Sequence, residues 1–219
     1  MSILDFLRPD PAKLRLPDAA DALPGRPDPI MDPGEHTALG GPIDGPFPEG
    51  TAFATFGLGC FWGAEKRFWS VPGVTATEVG YQGGHVANPD YRLVCTGRTG
   101  HAEMVRVDYD ERVVSTRDIL RVFWEYHDPT QGNRQGNDIG TQYRSVVYWT
   151  DDEQRAAVER THGEFAAVLE AAGLGPITTE MDDAAHHPFH RAEEYHQQYL
   201  RKNPHGYDCH ALTGYHLPV

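Results

Sequence analysis

The chain has 219 residues, with 19 Lys and Arg against 32 Asp and Glu, a formal charge of −13. That length fits one large domain, or one domain with an extra segment. So acidic a chain is ill suited to nucleic acid or an anionic membrane surface, no apolar run approaches the ~18 residues of a membrane span, and three cysteines, Cys60, Cys95 and Cys209, cannot make a disulfide scaffold.

In chain order, Met1–Arg8 has no basic start before its apolar stretch, and Asp5 interrupts that stretch. A secretory signal is therefore not expected, and the cytoplasm is the expected compartment. Residues 1–50 hold ten of the 17 prolines, with glycines between them. Proline fixes φ and removes a donor, so a long helix or central strand is excluded there. The stretch reads as an extended arm that wraps the domain at 51–203, with a loose, glycine-flanked tail at 204–219.

Ala52–Phe56 reads as a buried strand ended by Gly57-Leu58-Gly59, and Cys60–Ser70 as a helix stopped by Pro72-Gly73. Val74–Val79 alternates as a strand. Gly80–Gly100, rich in glycine, reads as a long loop, of the kind that is usually functional. Ala102–Tyr109 alternates again. Ser115, with Asp118 three residues on, caps a helix that runs to Asp128-Pro129. Thr130–Gln142 is a polar loop, and Arg144–Trp149 an apolar strand. Asp151 and Asp152 cap a helix ended by Gly173; Ile177–Met181 reads as a strand and Ala192–Lys202 as a short helix. The order over 52–149 is strand, helix, strand, strand, helix, strand. That predicts an α+β two-layer sandwich with a ferredoxin-like, split βαβ core and helices on one face of the sheet.

Cys60 follows a strand and a glycine turn and opens a helix. Free N–H groups and the helix dipole favour an anion there, so a thiol pKa below ~8.5 and nucleophilic character are expected. A small buried core cysteine is the alternative. Phe61 and Trp62 either face the core or wall an apolar pocket beside it. His186, His187, His190, Glu194 and His196 crowd one stretch, but Pro188 breaks any helical i, i+4 face between His187 and His190, so no metal site is expected.

Gly59-Cys60-Phe61-Trp62-Gly63-Ala64-Glu65 resembles the signature of class A peptide methionine sulfoxide reductases. In the family's order follow Gly80-Tyr81-Gln82-Gly83-Gly84, Asn88-Pro89-Asp90-Tyr91-Arg92, Gly100-His101-Ala102-Glu103 and His127-Asp128-Pro129-Thr130. Gln135–Ser145 and Glu194–Leu200 complete the series, which spans about residue 50 to about 210. The resemblance implies reduction of methionine S-sulfoxide, free or in proteins, and so protein repair under oxidative stress. Cys60 then attacks the sulfoxide sulfur and Glu103 matches the acid that protonates its oxygen; burial on its strand would keep that carboxyl protonated near pH 7. Tyr91 and Tyr143 match the tyrosines that hydrogen-bond the oxygen, Asp138 a group acting through water, and Phe61 and Trp62 the enclosure of the S-methyl group.

Attack leaves a Cys60 sulfenic acid, which a second thiol condenses into a disulfide. Cys209 is the candidate, and the resemblance implies thioredoxin as reductant, dithiothreitol serving in vitro, with no bound cofactor. The tail departs from members with two tail cysteines: His216 stands where the second would lie. Cys95 reads as structural, and nothing demands more than a monomer. A non-catalytic binder of methionine-sulfoxide peptides is opposed by the intact Cys60, Glu103 and Cys209. A thiol peroxidase or redox sensor is opposed by the aromatic cage and the two tyrosines.

Overall fold

The computed structural model describes residues 11–30, 34–208 and 211–219. Its centre is a sheet of β1 (Thr51–Leu58), β2 (Val74–Gln82), β3 (Ala102–Asp110), β6 (Ser145–Trp149), β7 (Glu180–Asp183) and β8 (His190–Arg191). The strand order is β7-β6-β1-β3-β2-β8. β6 and β7 run parallel, and every other neighbouring pair is antiparallel. β4 (Arg134–Gln135) and β5 (Asp138–Ile139) form a separate small hairpin. The helices are α1 (Phe61–Trp69), α2 (Tyr91–Val94), α3 (Thr116–Glu125), α4 (Asp152–Ala171) and α5 (Tyr199–Lys202).

Side chains alternate between the two faces of a strand, and the two faces are covered differently. Phe56, Val105, Val107 and Val147 meet Phe61 and Phe68 of α1, Ile119 and Phe123 of α3, and Phe165 of α4. The Phe56 ring stacks on Phe68, centroids 4.9 Å apart, and meets Phe123 at 5.4 Å. Removing this apolar surface from water is the main stabilising term of the fold. The opposite face carries a smaller cluster, Ala102, Met104, Val146 and Tyr148, under Ala184 and Phe189. Glu103 shares the face of Val105 and Val107, so it points toward the helices and not away from them.

Ser115 caps α3 through its oxygen, which accepts from Asp118 N at 3.2 Å, and Asp151 caps α4 in the same way from Gln154 N at 2.8 Å. Several boundaries differ from expectation. β2 runs on to Gln82, and α2 interrupts the Gly80–Gly100 loop, capped by Asp90, whose Oδ1 accepts from Leu93 N at 2.8 Å. The expected Ala192–Lys202 helix is helical only as α5, because Gln198 adopts a left-handed backbone just before it. The strand expected at Ile177–Met181 forms at Glu180–Asp183, where β6 supplies its partners.

The described tail is tied down and not loose. Leu217 is buried in the helix-side core, and its N–H donates to Glu125 Oε1 at 3.0 Å. Asp208 pairs with Lys66 Nζ at 3.0 Å. The N-terminal segment is pinned at several points: Asn133 Nδ2 donates to Leu14 O at 2.9 Å, Leu23 N to Arg98 O at 3.2 Å and Arg26 N to Ala87 O at 2.9 Å.

Candidate active site

β1 delivers the chain to Gly59, which has φ +96, a conformation L side chains rarely adopt. A Cβ there would lie 2.6 Å from Gln135 Cγ of the β4–β5 hairpin. Glycine thus allows the hairpin to close over the turn that leads into Cys60. Cys60 is the N-cap residue of α1 and is 7 % exposed. The first amides of α1 are shared between two groups. Phe61 N donates to Glu103 Oε2 at 3.0 Å, while the N–H groups of Trp62 and Gly63 lower the pKa of the Cys60 thiol. These are N–H groups that no helix can satisfy internally.

The charge state of Cys60 differs from the expectation. The two amides do pull its pKa down, but burial and the nearby Glu103 carboxyl push it well above the ordinary thiol range. The thiol, not the thiolate, is the resting form. Glu103 is 2 % exposed, and burial together with Asp138 pushes its carboxyl up to about 8, against the pull of the Phe61 amide. A protonated thiol and a protonated carboxyl therefore meet at the helix start.

The sulfur and the carboxyl are walled by aromatics. The Trp62 indole stacks on Tyr199 at 3.9 Å and 18°, and its Nε1 donates to His196 Nδ1 at 2.9 Å. His196 in turn packs against Phe61 at 5.0 Å and Tyr91 at 4.6 Å. Tyr91 opens α2, and its N–H donates to Glu193 Oε1 at 2.9 Å. Tyr143 ends the short turn Thr141–Tyr143. Burial raises both phenols, with Glu103 adding to each, so both remain protonated donors.

Asp138 on β5 accepts from the Tyr207 hydroxyl at 3.1 Å, and its Oδ2 is a buried oxygen without a partner among the described residues. Burial raises its pKa, opposed by Tyr207. Cys60, Phe61, Trp62, Tyr91, Glu103, Asp138 and Tyr143 thus come together from four separate stretches of chain. Cys209 lies outside the described residues, between Asp208 and the anchored Leu217. Cys95 closes α2, where burial raises its thiol pKa and the Tyr91 phenol opposes that rise.

Glu193 of this wall escapes a sequence reading, while His196 and Tyr199 lie in the Glu194–Leu200 block without a place in the cage being expected for them. Glu193 also accepts from Tyr81 OH at 2.9 Å, so one carboxylate orients two tyrosines. The histidines that crowd the sequence are dispersed in space. His186 and His187 bond Asp182, His190 faces Asn88 and His196 faces the indole. Among the described residues no three His, Cys, Asp or Glu side chains are placed to hold a metal ion.

The sequence model of the family described as peptide methionine sulfoxide reductase matches residues 52–216. Peptide methionine sulfoxide reductase MsrA of Salinispora tropica is 54 % identical over 218 residues, covering 98 % of this chain and 96 % of that protein. Its counterpart from Azotobacter vinelandii is 56 % identical over 206 residues, covering 94 % of each. The structure of methionine sulfoxide reductase A of Corynebacterium diphtheriae matches with a TM-score of 0.79 at 46 % identity, covering 88 % of this chain and 93 % of that one. Reduced Mxr1 from Saccharomyces cerevisiae matches at 0.65 and 32 %, covering 76 % and 94 %. With a thiol and a buried carboxyl sharing one helix start inside an aromatic wall, the chain is an oxidoreductase that belongs to the peptide methionine sulfoxide reductase family.

Proposed function

We propose that this chain reduces methionine S-sulfoxide, free or within oxidised proteins, through a Cys60 sulfenic acid and a Cys60–Cys209 disulfide that thioredoxin recycles. The observation that carries the reading is the joint placement of Cys60 and Glu103 at the first turn of α1, where the Phe61 amide donates to the carboxyl and the carboxyl raises the Cys60 pKa. The neutral site suits a neutral, dipolar substrate. A sulfoxide oxygen is a strong acceptor but a poor leaving group until it is protonated. Glu103 gives that oxygen its proton as Cys60 attacks the sulfur, and the Cys60 proton leaves to the carboxylate so formed. The first step balances as thiol plus sulfoxide giving sulfenic acid plus thioether. The sulfenic acid then condenses with the Cys209 thiol, releasing water and forming the disulfide. Thioredoxin dithiol reduces that disulfide by exchange. No bound cofactor enters this cycle.

Phe61 and Trp62 enclose the S-methyl group, and Asp138 acts on the oxygen through water. The order β6-β1-β3-β2, with α1 and α3 on one face, supports reading residues 52–149 as the split βαβ, ferredoxin-like core. The proposed enzyme is a monomeric repair enzyme of the cytoplasm; among the described residues no helix is long and apolar enough to cross a membrane.

A coupled assay with thioredoxin, its reductase and NADPH tests the reading. NADPH consumption is expected with the S-sulfoxide and not with the R-sulfoxide or hydrogen peroxide. Equal turnover of both epimers would sink the stereochemical claim, and turnover of peroxide alone would make the protein a thiol peroxidase. Tyr91→Phe and Tyr143→Phe are each expected to lower the single-turnover rate about tenfold, the worth of one hydrogen bond of ~1.4 kcal/mol. An unchanged rate in both would remove the tyrosines from the oxygen.

A further inference from the structure

Glu65 is a buried carboxyl for which the reaction has no use. It lies on α1, five residues beyond Cys60, with 0 % of its surface exposed. Three groups donate to it: Thr77 Oγ1 to Oε1 at 3.0 Å, Gln198 Nε2 to Oε1 at 2.8 Å, and Gln198 N to Oε2 at 2.8 Å. The direction of this network is fixed from its far ends. Ala38 N and Leu39 N both donate to His36 Nδ1, at 3.2 and 3.0 Å, so the imidazole proton sits on Nε2. His36 Nε2 then donates to Thr77 Oγ1 at 2.8 Å, which leaves the Thr77 proton for Glu65. Thr37 N donates to Gln198 Oε1 at 3.2 Å, which turns the amide nitrogen toward Glu65. Burial pushes the Glu65 carboxyl up to about 8, yet every group around it is a donor, the surroundings of a carboxylate.

Gln198 is an unusual partner. Its φ of 47 and ψ of 42 lie in the left-handed region, which a non-glycine residue holds only when its surroundings insist. Glu65 grips both its backbone and its side-chain nitrogen. The reversal at Gln198 returns the residues on either side of it to one target. His196, before it, accepts from the Trp62 indole, and Tyr199, after it, stacks on the same ring.

We propose that Glu65 is a positioning residue for the substrate cage. Its grip on left-handed Gln198 holds His196 and Tyr199 against Trp62, and the N-terminal segment secures that grip through His36 and Thr37. The inference rests on Trp62 walling the site that binds the S-methyl group. Glu65→Gln keeps the size of the side chain but turns a donor toward donors. It is expected to raise KM for methionine S-sulfoxide about tenfold while the single-turnover rate at saturation changes less than about twofold. Discrimination between S-methyl and S-ethyl sulfoxides, set by one methylene in an apolar pocket, is expected to fall. Neither change follows from lost stability alone. In a Trp62→Ala background, Glu65→Gln is expected to add nothing to KM, because the two act through one contact. If Glu65→Gln does not accumulate as folded protein, Gln198→Gly carries the same test, since glycine accepts the positive φ and removes the amide link. Unchanged KM and selectivity in a folded variant, or a KM rise that persists undiminished in the Trp62→Ala background, overturn the proposal. A Trp62→Ala enzyme with unchanged KM overturns the reading of the site itself, and this inference with it.

Discussion

Glu103→Gln is expected to slow sulfenic acid formation by about 10²–10⁴-fold, the range that a positioned general acid contributes. The measurement is methionine released in a single turnover with enzyme in excess, which leaves the recycling steps out. The substitution is close to isosteric, and the glutamine oxygen can still accept the Phe61 N–H that Glu103 Oε2 accepts at 3.0 Å. The start of α1 therefore keeps its geometry while the site loses the proton it must give. The pH dependence of the native enzyme carries the same signature. The Glu103 carboxyl sits at about 8, so the acid is present below that pH and the rate of the first step falls as pH rises through about 8. The variant has no such limb.

Stability is expected to move the other way. A carboxyl raised from 4.5 to about 8 by burial opposes folding once it ionises. The stability it permits is complete below about pH 4.5 and is lost as pH rises toward 8. Glu103→Gln removes that loss, so between pH 8 and 9 the variant should melt no lower than the parent while turning over far more slowly. An unchanged single-turnover rate would remove Glu103 as the acid, and a large fall in melting temperature would reassign the defect to folding.

The charge of the nucleophile shows where sequence reasoning stops. The glycine turn and the helix start at Cys60 are legible within a few residues, and so is the pull that helix amides exert on a sulfur. The opposing terms are not local. Asp138 comes from the hairpin at Arg134–Ile139, and Glu103 comes from a strand 43 positions away. Long periodic elements such as β3, α3 and α4 declare themselves through alternation or an apolar stripe. β4, β5 and β8, of two residues each, have no period to read and exist only because a partner strand is present. Glu193 and His196 look like ordinary polar residues in sequence. Their roles arise from contacts with Tyr91 and Trp62, 102 and 134 positions away.

Cys209→Ser is expected to separate the two halves of the cycle. With dithiothreitol, which reduces the Cys60 sulfenic acid directly, the variant should continue to turn over. With thioredoxin it should stop after about one methionine per enzyme, because thioredoxin then meets a sulfenic acid instead of a disulfide. Tyr207 bonds Asp138 within the site, Asp208 bonds Lys66 on α1, and further on His216 bonds Glu125 and Leu217 is held in the core. Eight residue steps separate Cys209 from Leu217, a span of at most ~26–29 Å when extended. With Leu217 held in place, that span bounds how far Cys209 can travel to meet Cys60. A thiol tethered so closely acts at an effective concentration of about millimolar or above, enough to capture the sulfenic acid before further oxidation. Cys95→Ser is the control: serine is close in size to cysteine, and thioredoxin-driven turnover is expected to continue. Sustained thioredoxin-driven turnover in Cys209→Ser, combined with arrest in Cys95→Ser, would move the resolving role from the tail to the end of α2.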